Sequence, residues 1–134
     1  MKKAYFAISY ANRKLFDKEI HGLLNLFKKN NIELLVFVDN YTFREDQEKE
    51  MMKAAFTEID SADFLIAELT TKSIGVGIEI GYAYAKNKPV FYLRKKESEY
   101  STTASGCSTT LMVYENDLNL IKMMEKQLKM ILGK

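Results

Sequence analysis

The sequence FLIAELTTKSIGVGIEIGYAYAK, residues 64–86, joins a run that is apolar except for Glu68 to a polar turn and then to a second apolar segment that opens with two glycines. The run Phe64–Leu69 has the length and continuity of a strand that is buried on both faces. Ser73 is a suitable N-cap for a following helix, which Asn87-Lys88-Pro89 ends near Lys86. A buried strand that passes through a short turn into a helix is the building unit of a parallel α/β sheet.

The same alternation recurs along the rest of the chain. Apolar runs predict the strands Ala4–Ser9, Glu33–Val38, Phe64–Leu69, Val90–Leu93 and Thr110–Tyr114. Helical spacing predicts helices over Asn12–Lys29, Met51–Ile59, Ser73–Lys86 and from Asp117 to a stop at Gly133, whereas Arg94–Ser108 is predicted as a long polar loop. We therefore expect one domain over residues 1–134 with an α/β fold: a three-layer, doubly wound, five-stranded parallel sheet of the Rossmann or flavodoxin-like kind, with helices on both faces.

Apolar residues at helical spacing also predict which side of each helix is buried. The expected stripes are Phe16, Ile20, Leu23, Leu24 and Phe27 in the first helix, Met51, Met52, Ala55, Phe56 and Ile59 in the second, and Leu118, Ile121, Met124, Leu128 and Ile131 in the last.

Charge and cysteine content exclude several classes of function. Lys and Arg total 20 against 18 Asp and Glu, a net charge of +2, which gives no support to a nucleic-acid-binding face. Cys107 is the one cysteine, so no intrachain disulfide forms and a reducing compartment is favoured. No apolar run approaches the roughly 18 residues of a membrane span. We expect a cytoplasmic protein that binds neither nucleic acid nor membrane, and that uses no metal and no cofactor because the sequence shows no cluster of metal-ligating residues.

Polar groups of interest fall at the carboxyl ends of the predicted strands, where parallel α/β sheets bind their ligands. Free N–H groups at the start of the helix after Ser73 form an anion site, and Gly75 and Gly77 let a ligand approach the backbone closely. Glu79 lies about one turn into this helix, where the positive helix end favours an ionised carboxylate. Alternatively, the two glycines serve only close packing of the helix on its strand, and the spacing alone leaves both interpretations open.

A longer pattern surrounds these residues: Ala-Asp at 62–63, Ala-Glu at 67–68 and Ser-x-Gly-x-Gly-x-Glu-x-Gly at 73–81. It resembles the nucleoside 2-deoxyribosyltransferase superfamily, above all the branch of 2′-deoxynucleoside 5′-monophosphate N-hydrolases. The resemblance implies cleavage of the N-glycosidic bond of a (deoxy)nucleoside 5′-monophosphate, which gives free base and sugar phosphate. It also implies that Glu79 attacks or stabilises the anomeric carbon, a role for which a carboxylate is suited.

The resemblance further implies how the substrate is held. Ser73 and Ser9 match the serines that bind the 5′-phosphate in the monophosphate hydrolases, and Ser101 matches a serine that the neighbouring subunit contributes. The implied assembly is a homodimer with shared active sites. Independently of the resemblance, several aromatic residues near strand ends are candidates either to stack on a base or simply to pack in the core: Tyr10, Tyr41, Phe43 and Tyr82.

Two departures from the family pattern leave alternatives open. The family's second acid falls at Ala55 here, and Glu58, one turn later, is either its substitute or a solvated surface glutamate. The first loop lacks the family's glycine and arginine, and Arg13, two residues late, either reaches a phosphate or only belongs to the first helix. Base exchange by a deoxyribosyltransferase, and a nucleotide-binding or sensing module without turnover, therefore remain alternatives.

Overall fold

The computed structural model describes residues 1–133, and a parallel sheet forms its centre. The strands are β1 (Lys2–Ala7), β2 (Ile32–Val36), β3 (Phe64–Glu68), β4 (Val90–Lys95) and β5 (Thr110–Tyr114). They form one five-stranded sheet in the order β2-β1-β3-β4-β5, and every neighbouring pair is parallel. The predicted fold class and the five parallel strands are confirmed.

Helices cover both faces of this sheet, also as predicted. They are α1 (Asp17–Lys29), α2 (Phe37–Asn40), α3 (Glu48–Ser61), α4 (Ile74–Ala85), α5 (Thr102–Gly106) and α6 (Asp117–Leu132), and a 3-10 helix, Tyr10–Phe16, precedes α1. One core lies between the sheet and the pair α1 and α6, and includes Ile20, Met124 and Phe6. The other lies between the sheet and the pair α3 and α4, and includes Ile59 and Ile80. Within residues 1–133, no helix has both the length and the apolar character needed to cross a membrane.

The order of the strands places a switch point between β1 and β3. The chain passes from β1 outward to β2 on one side, and from β3 through β4 to β5 on the other. In open parallel sheets, ligands bind in the crevice outside the carboxyl ends of the strands at such a point. The loops that carry Ser9, after β1, and Ser73, after β3, flank this crevice.

Three local predictions are wrong. The second strand ends at Val36 rather than Val38, because the chain turns into α2, where the Phe37 ring stacks on Tyr41 with centroids 4.7 Å apart. The predicted polar loop from residue 94 to 108 contains the end of β4 and the short helix α5. The predicted first helix is divided into the 3-10 helix and α1.

The buried faces of the helices follow most of the expected stripes and differ from them at the margins. The stripe residues that are buried as predicted are Phe16, Ile20, Leu23, Phe27, Ala55, Ile59, Met124 and Leu128. Leu24, Met51 and Leu118 are exposed, whereas Leu26 and Leu120 are buried. Adjacent apolar residues allow a stripe two neighbouring phases, and contact with the sheet selects one of them. The stop of the last helix is confirmed, since Gly133 adopts a left-handed φ of 69°, but its N-cap is Asn116 rather than Asp117.

Candidate active site

Glu79 lies on the inner side of α4 as a buried carboxylate. Ser73 caps this helix as predicted, and its Oγ accepts a hydrogen bond from the backbone N–H of Val76 at 3.4 Å. Glu79 is only 9% exposed, and the hydroxyl of Tyr5, in the middle of β1, donates a hydrogen bond to its Oε2. The pair joins the helix after β3 to strand β1, and so lies on the two elements that border the switch point.

Burial controls the protonation of this pair. Desolvation raises the pKa of Glu79 from its ordinary value to about 7, and the hydrogen bond from Tyr5 opposes that rise. The pKa of Tyr5 is also raised, first by burial and then by the negative charge of Glu79, so the phenol stays protonated and acts as the donor. Glu79 therefore changes its charge near neutral pH, which is suitable for a carboxylate that takes part in chemistry.

Both glycines at the start of α4 border open space. A Cβ atom built on Gly77 would meet nothing within 4 Å, and one on Gly75 would meet only Ser73 Oγ, at 4.0 Å. The alternative that these glycines serve close packing on the strand is therefore wrong. Gly75 lies one turn before Glu79 on nearly the same side of the helix, so its missing side chain leaves the approach to the carboxylate open.

Ser73 also lines a cavity of about 400 Å³ between α4 and α5, together with Gly77, Ser101 and several apolar residues. By helical phase this side of α4 faces about 140° away from Glu79. The cavity therefore flanks the carboxylate instead of containing it. The hydrogen bonds of Ser101 are made within its own chain. Its Oγ caps α5 by accepting from Ala104 N–H at 3.1 Å, and its backbone N–H donates to the Tyr92 hydroxyl at 3.1 Å.

The loop after β1 carries the other predicted phosphate ligands. Ser9 precedes the 3-10 helix, is half-buried and makes no side-chain cap bond to that helix. The guanidinium of Arg13 contacts Asp39, with Nε 2.9 Å from Oδ1, and Asp17, with NH1 2.8 Å from Oδ1. Two carboxylates thus balance its charge, and a phosphate would have to displace them.

Glu58 belongs to a network near the start of β1 that borders the Tyr5–Glu79 pair, since its negative charge helps to raise the pKa of Tyr5. Its Oε1 lies 2.6 Å from Lys3 Nζ, and its Oε2 accepts from the Tyr41 hydroxyl at 2.5 Å. The hydrogen bonds from Lys3 and Tyr41 lower the pKa of this carboxyl, so at neutral pH Glu58 is an ionised acceptor and has no proton to donate. Ala55, at the position of the family's second acid, is buried in the core between the sheet, α3 and α4.

Three of the four aromatic candidates converge. Tyr10, Tyr41 and Phe43 line a cavity of about 250 Å³ at the carboxyl end of β2, with Phe37, Val38, Thr42 and Met51. The Tyr41 and Phe43 rings are stacked with centroids 5.9 Å apart. Tyr82 lies elsewhere, stacked on Phe56 at 4.2 Å.

Two residues near the site, Tyr5 and Glu68, have no role predicted from the sequence. Tyr5 resembles any other residue of an apolar strand, although a buried phenol needs a hydrogen-bond partner, and that need is the signal that points to it. Among residues 1–133, no group of three or more His, Cys, Asp or Glu side chains is arranged to hold a metal ion.

Comparison with known proteins identifies the family. The model of the nucleoside 2-deoxyribosyltransferase family matches residues 4–127, nearly the whole chain. The family takes its name from enzymes that transfer the deoxyribosyl group of nucleosides. The chain belongs to the nucleoside 2-deoxyribosyltransferase family. No curated protein sequence matches it.

Solved structures share the fold over almost their full length. The CMP N-glycosidase BcmB of Clostridium botulinum has a TM-score of 0.73 at 21% identity, and the match covers 94% of this chain and 99% of that one. A conserved protein from Enterococcus faecalis V583 has a TM-score of 0.72 at 22% identity, with coverages of 95% and 99%. The 2-deoxyribosyltransferase of Bacillus psychrosaccharolyticus has a TM-score of 0.70 at 15% identity, with coverages of 92% and 90%.

Proposed function

We propose that this protein hydrolyses the N-glycosidic bond of a nucleoside or deoxynucleoside 5′-monophosphate and releases free base and sugar phosphate. The observation that carries the proposal is Glu79, a buried carboxylate at the switch point of the sheet, held by the hydroxyl of Tyr5. Membership of the family supports a nucleotide or nucleoside substrate, and the structural likeness to a CMP N-glycosidase supports hydrolysis of a monophosphate.

In the proposed reaction, the ionised carboxylate of Glu79 faces the anomeric carbon. As the C1′–N bond breaks, its electron pair leaves with the base, and the sugar becomes oxocarbenium-like, so that a negative charge beside it stabilises the transition state. Collapse onto Glu79 gives a glycosyl ester, which water then cleaves, restoring the carboxylate and releasing the sugar phosphate. The leaving base takes its proton from solvent, because Glu58 is paired with Lys3 and Ala55 supplies no acid.

The elements around Glu79 suggest an orientation for the substrate. The 5′-phosphate is proposed to lie between the start of α4, with Ser73 and its free N–H groups, and the half-buried Ser9 in the loop after β1. The base is proposed to extend toward the aromatic cavity of Tyr10, Tyr41 and Phe43, whose ring faces suit a flat heterocycle. We assign Arg13 no phosphate contact in this arrangement, because its charge is already paired.

We also propose that two copies of the chain form a homodimer through one side of α4. The outer side of α4 exposes Ile74 by 86%, Ile78 by 49% and Tyr84 by 60%, an unusual set of apolar side chains for one helix next to an active site. A second copy that covers this side would bury them. It would also enclose the cavity between α4 and α5, which Ser73 and Ser101 of the same chain both line.

One observation favours a second candidate function. Ala55 removes the acid that the family pattern expects, and a protein with this fold and an intact phosphate site but no turnover would act as a nucleotide sensor. A base-exchange enzyme remains the other alternative, because the family includes transferases.

A substrate panel separates these three functions. The pure protein is incubated with ribo- and deoxyribonucleosides and their 5′-monophosphates, with and without a free acceptor base, and the bases and nucleosides are resolved chromatographically. Hydrolysis predicts free base from monophosphates, whether or not an acceptor is present. A new nucleoside formed only with acceptor would identify base exchange. Thermal stabilisation by a monophosphate without any release would identify the sensor and contradict the proposed hydrolysis.

A further inference from the structure

A second buried carboxylate, Glu68, lies on the opposite face of the sheet from Glu79. It is the last residue of β3 and is 4% exposed, among the residues that α1 and α6 cover. Burying a carboxylate costs free energy unless hydrogen bonds compensate it, and desolvation does raise the pKa of Glu68 above its ordinary value. The proposed chemistry at Glu79 makes no use of this group.

Three donors converge on Glu68. Its Oε1 accepts the backbone N–H of Thr70 at 2.6 Å, and its Oε2 accepts the Thr70 hydroxyl at 3.0 Å and the Tyr114 hydroxyl at 2.5 Å. Thr70 Oγ1 in turn accepts the backbone N–H of Lys95 at 3.0 Å. One carboxylate thereby links the carboxyl ends of β3, β4 and β5, and we call Glu68, Thr70, Tyr114 and Lys95 the strand-end clasp.

The clasp holds the turn that leads into the active site. Residues 69–73 connect β3 to α4, and Thr70, the second residue of that turn, is fixed through both its backbone and its side chain. The turn ends at Ser73, which caps α4 and lies at the proposed phosphate position. Only an acceptor with two oxygens can hold both groups of Thr70 and the Tyr114 hydroxyl at once, which explains a carboxylate at this position.

We propose that Glu68 is a positioning residue that sets the turn from 69 to 73, and so determines the affinity for the 5′-phosphate without taking part in chemistry at the anomeric carbon. That the ligand is a 5′-phosphate rests on the proposed function. That Glu68 fixes the turn rests only on the hydrogen bonds of the clasp.

The test compares Glu68→Gln with Tyr114→Phe. The glutamine keeps the shape of the side chain but loses one acceptor oxygen, and the loss of a hydrogen bond to a charged group predicts a rise of about tenfold in KM for a monophosphate. We expect kcat to stay within about twofold and cleavage of the corresponding nucleoside, which has no phosphate, to be unchanged. Tyr114→Phe removes one bond to Glu68 but keeps both Thr70 bonds, so it should lower the unfolding temperature while raising KM by clearly less than Glu68→Gln does.

A purely structural role gives a different result. If both variants lower kcat on nucleoside and monophosphate alike, in proportion to their loss of stability, the positioning role is overturned. The matched variant keeps this outcome distinct from general destabilisation, because Tyr114 is as deeply buried as any residue of the clasp.

Amide hydrogen exchange tests the clasp independently of any substrate. Glu68→Gln should exchange faster at residues 70–76, whereas the later turns of α4 keep their protection. Unchanged exchange in that turn would overturn the inference even if the protein is a hydrolase. Faster exchange in a protein whose wild type neither binds nor cleaves any ribo- or deoxyribonucleoside 5′-monophosphate of the panel would contradict the proposed function and leave the role of Glu68 in positioning the turn supported.

Discussion

At the scale of single residues, two carboxylates on neighbouring helices have different surroundings. Glu79 is buried with one neutral donor, Tyr5, and its pKa is raised to about 7. Glu58 is paired with Lys3, and its pKa is lowered. Environment rather than residue type therefore selects which carboxylate has a charge that varies near neutral pH.

The first prediction concerns Tyr5→Phe and the pH dependence of cleavage. Because only the ionised carboxylate of Glu79 can stabilise positive charge at the anomeric carbon, kcat/KM of the wild type should rise with pH through about 7. The phenol stabilises the ionised carboxylate, so its loss should move the midpoint to higher pH and lower kcat/KM at pH 7 by roughly tenfold. A profile with an unchanged midpoint would show that the Tyr5 bond does not control this ionisation.

The second prediction concerns stability. The pKa of Glu79 in the folded protein lies above its ordinary value of 4.5, so the wild type loses stability as the pH rises from about 4.5 to about 7. The glutamine of Glu79→Gln does not titrate, so the variant escapes this loss. Its free energy of unfolding should exceed that of the wild type by an amount that grows over this window to about 1–3 kcal/mol at pH 8. Urea unfolding at pH 5 and pH 8 measures it. Glu58→Gln is the control, and it should lower the free energy of unfolding, because Lys3 stabilises the ionised Glu58 of the wild type. An advantage of Glu79→Gln that is the same at both pH values would refute the buried-charge argument.

Part of this residue-level description was predictable from the sequence. Glu79 and Ser73 were found because a helix start is a local pattern of cap, glycines and carboxylate. Tyr5 was not found, because its partner lies 74 residues away and no local pattern records such a contact. The sequence motif includes Glu68 but gives no sign of its contacts, since one of its donors, the Tyr114 hydroxyl, lies 46 residues away at the end of β5.

At the scale of elements, α4 combines the proposed anion-binding start with the proposed path to its carboxylate. The absence of a side chain at Gly75, which is exposed, leaves that path open. Strands and long helices were predictable because their apolar period is long enough to recognise. The short helices α2 and α5 were not, because four or five residues contain too little of a period and α5 is rich in serine and threonine.

The third prediction tests the open path. Gly75→Ala should stabilise the protein by up to about 1 kcal/mol, because alanine favours helix and its methyl group meets no close neighbour. The same methyl group should hinder the sugar above Glu79 and lower kcat/KM by about 10- to 100-fold. Gly81→Ala on the same helix, also without neighbours within 4 Å, should give the stabilisation with unchanged kcat/KM. Equal kcat/KM for the two variants would mean that substrate does not approach past Gly75.

At the scale of the whole molecule, the fold brings the loops after β1 and β3 to one crevice. The α/β class was predictable from the alternation of buried strands and helices. The order of the strands was not, because which strands become neighbours is decided by the packing of the whole sheet. That order is what makes β1 and β3 adjacent, and therefore what places Tyr5 beside Glu79.

The fourth prediction concerns assembly. Ile78→Lys places a charge on the exposed apolar side of α4, so it should convert the proposed dimer to a folded monomer in sedimentation velocity experiments. Base release should fall with dimer content if the sites are shared. Leu118→Lys, a similar change at a residue of α6 that is 72% exposed, should leave assembly and activity intact. A wild type that sediments as a monomer at micromolar concentration would contradict the shared-site arrangement.

The most direct test of the central claim is the release of free base from nucleoside 5′-monophosphates by the wild type and by Glu79→Gln under identical conditions. The substrates are the ribo- and deoxyribonucleoside 5′-monophosphates of the proposed panel. We predict release by the wild type and a loss of at least about a thousandfold in the variant, because glutamine supplies neither the negative charge nor the nucleophile. Release that continues at the wild-type rate in a folded Glu79→Gln protein would contradict the assignment of Glu79 to the anomeric carbon.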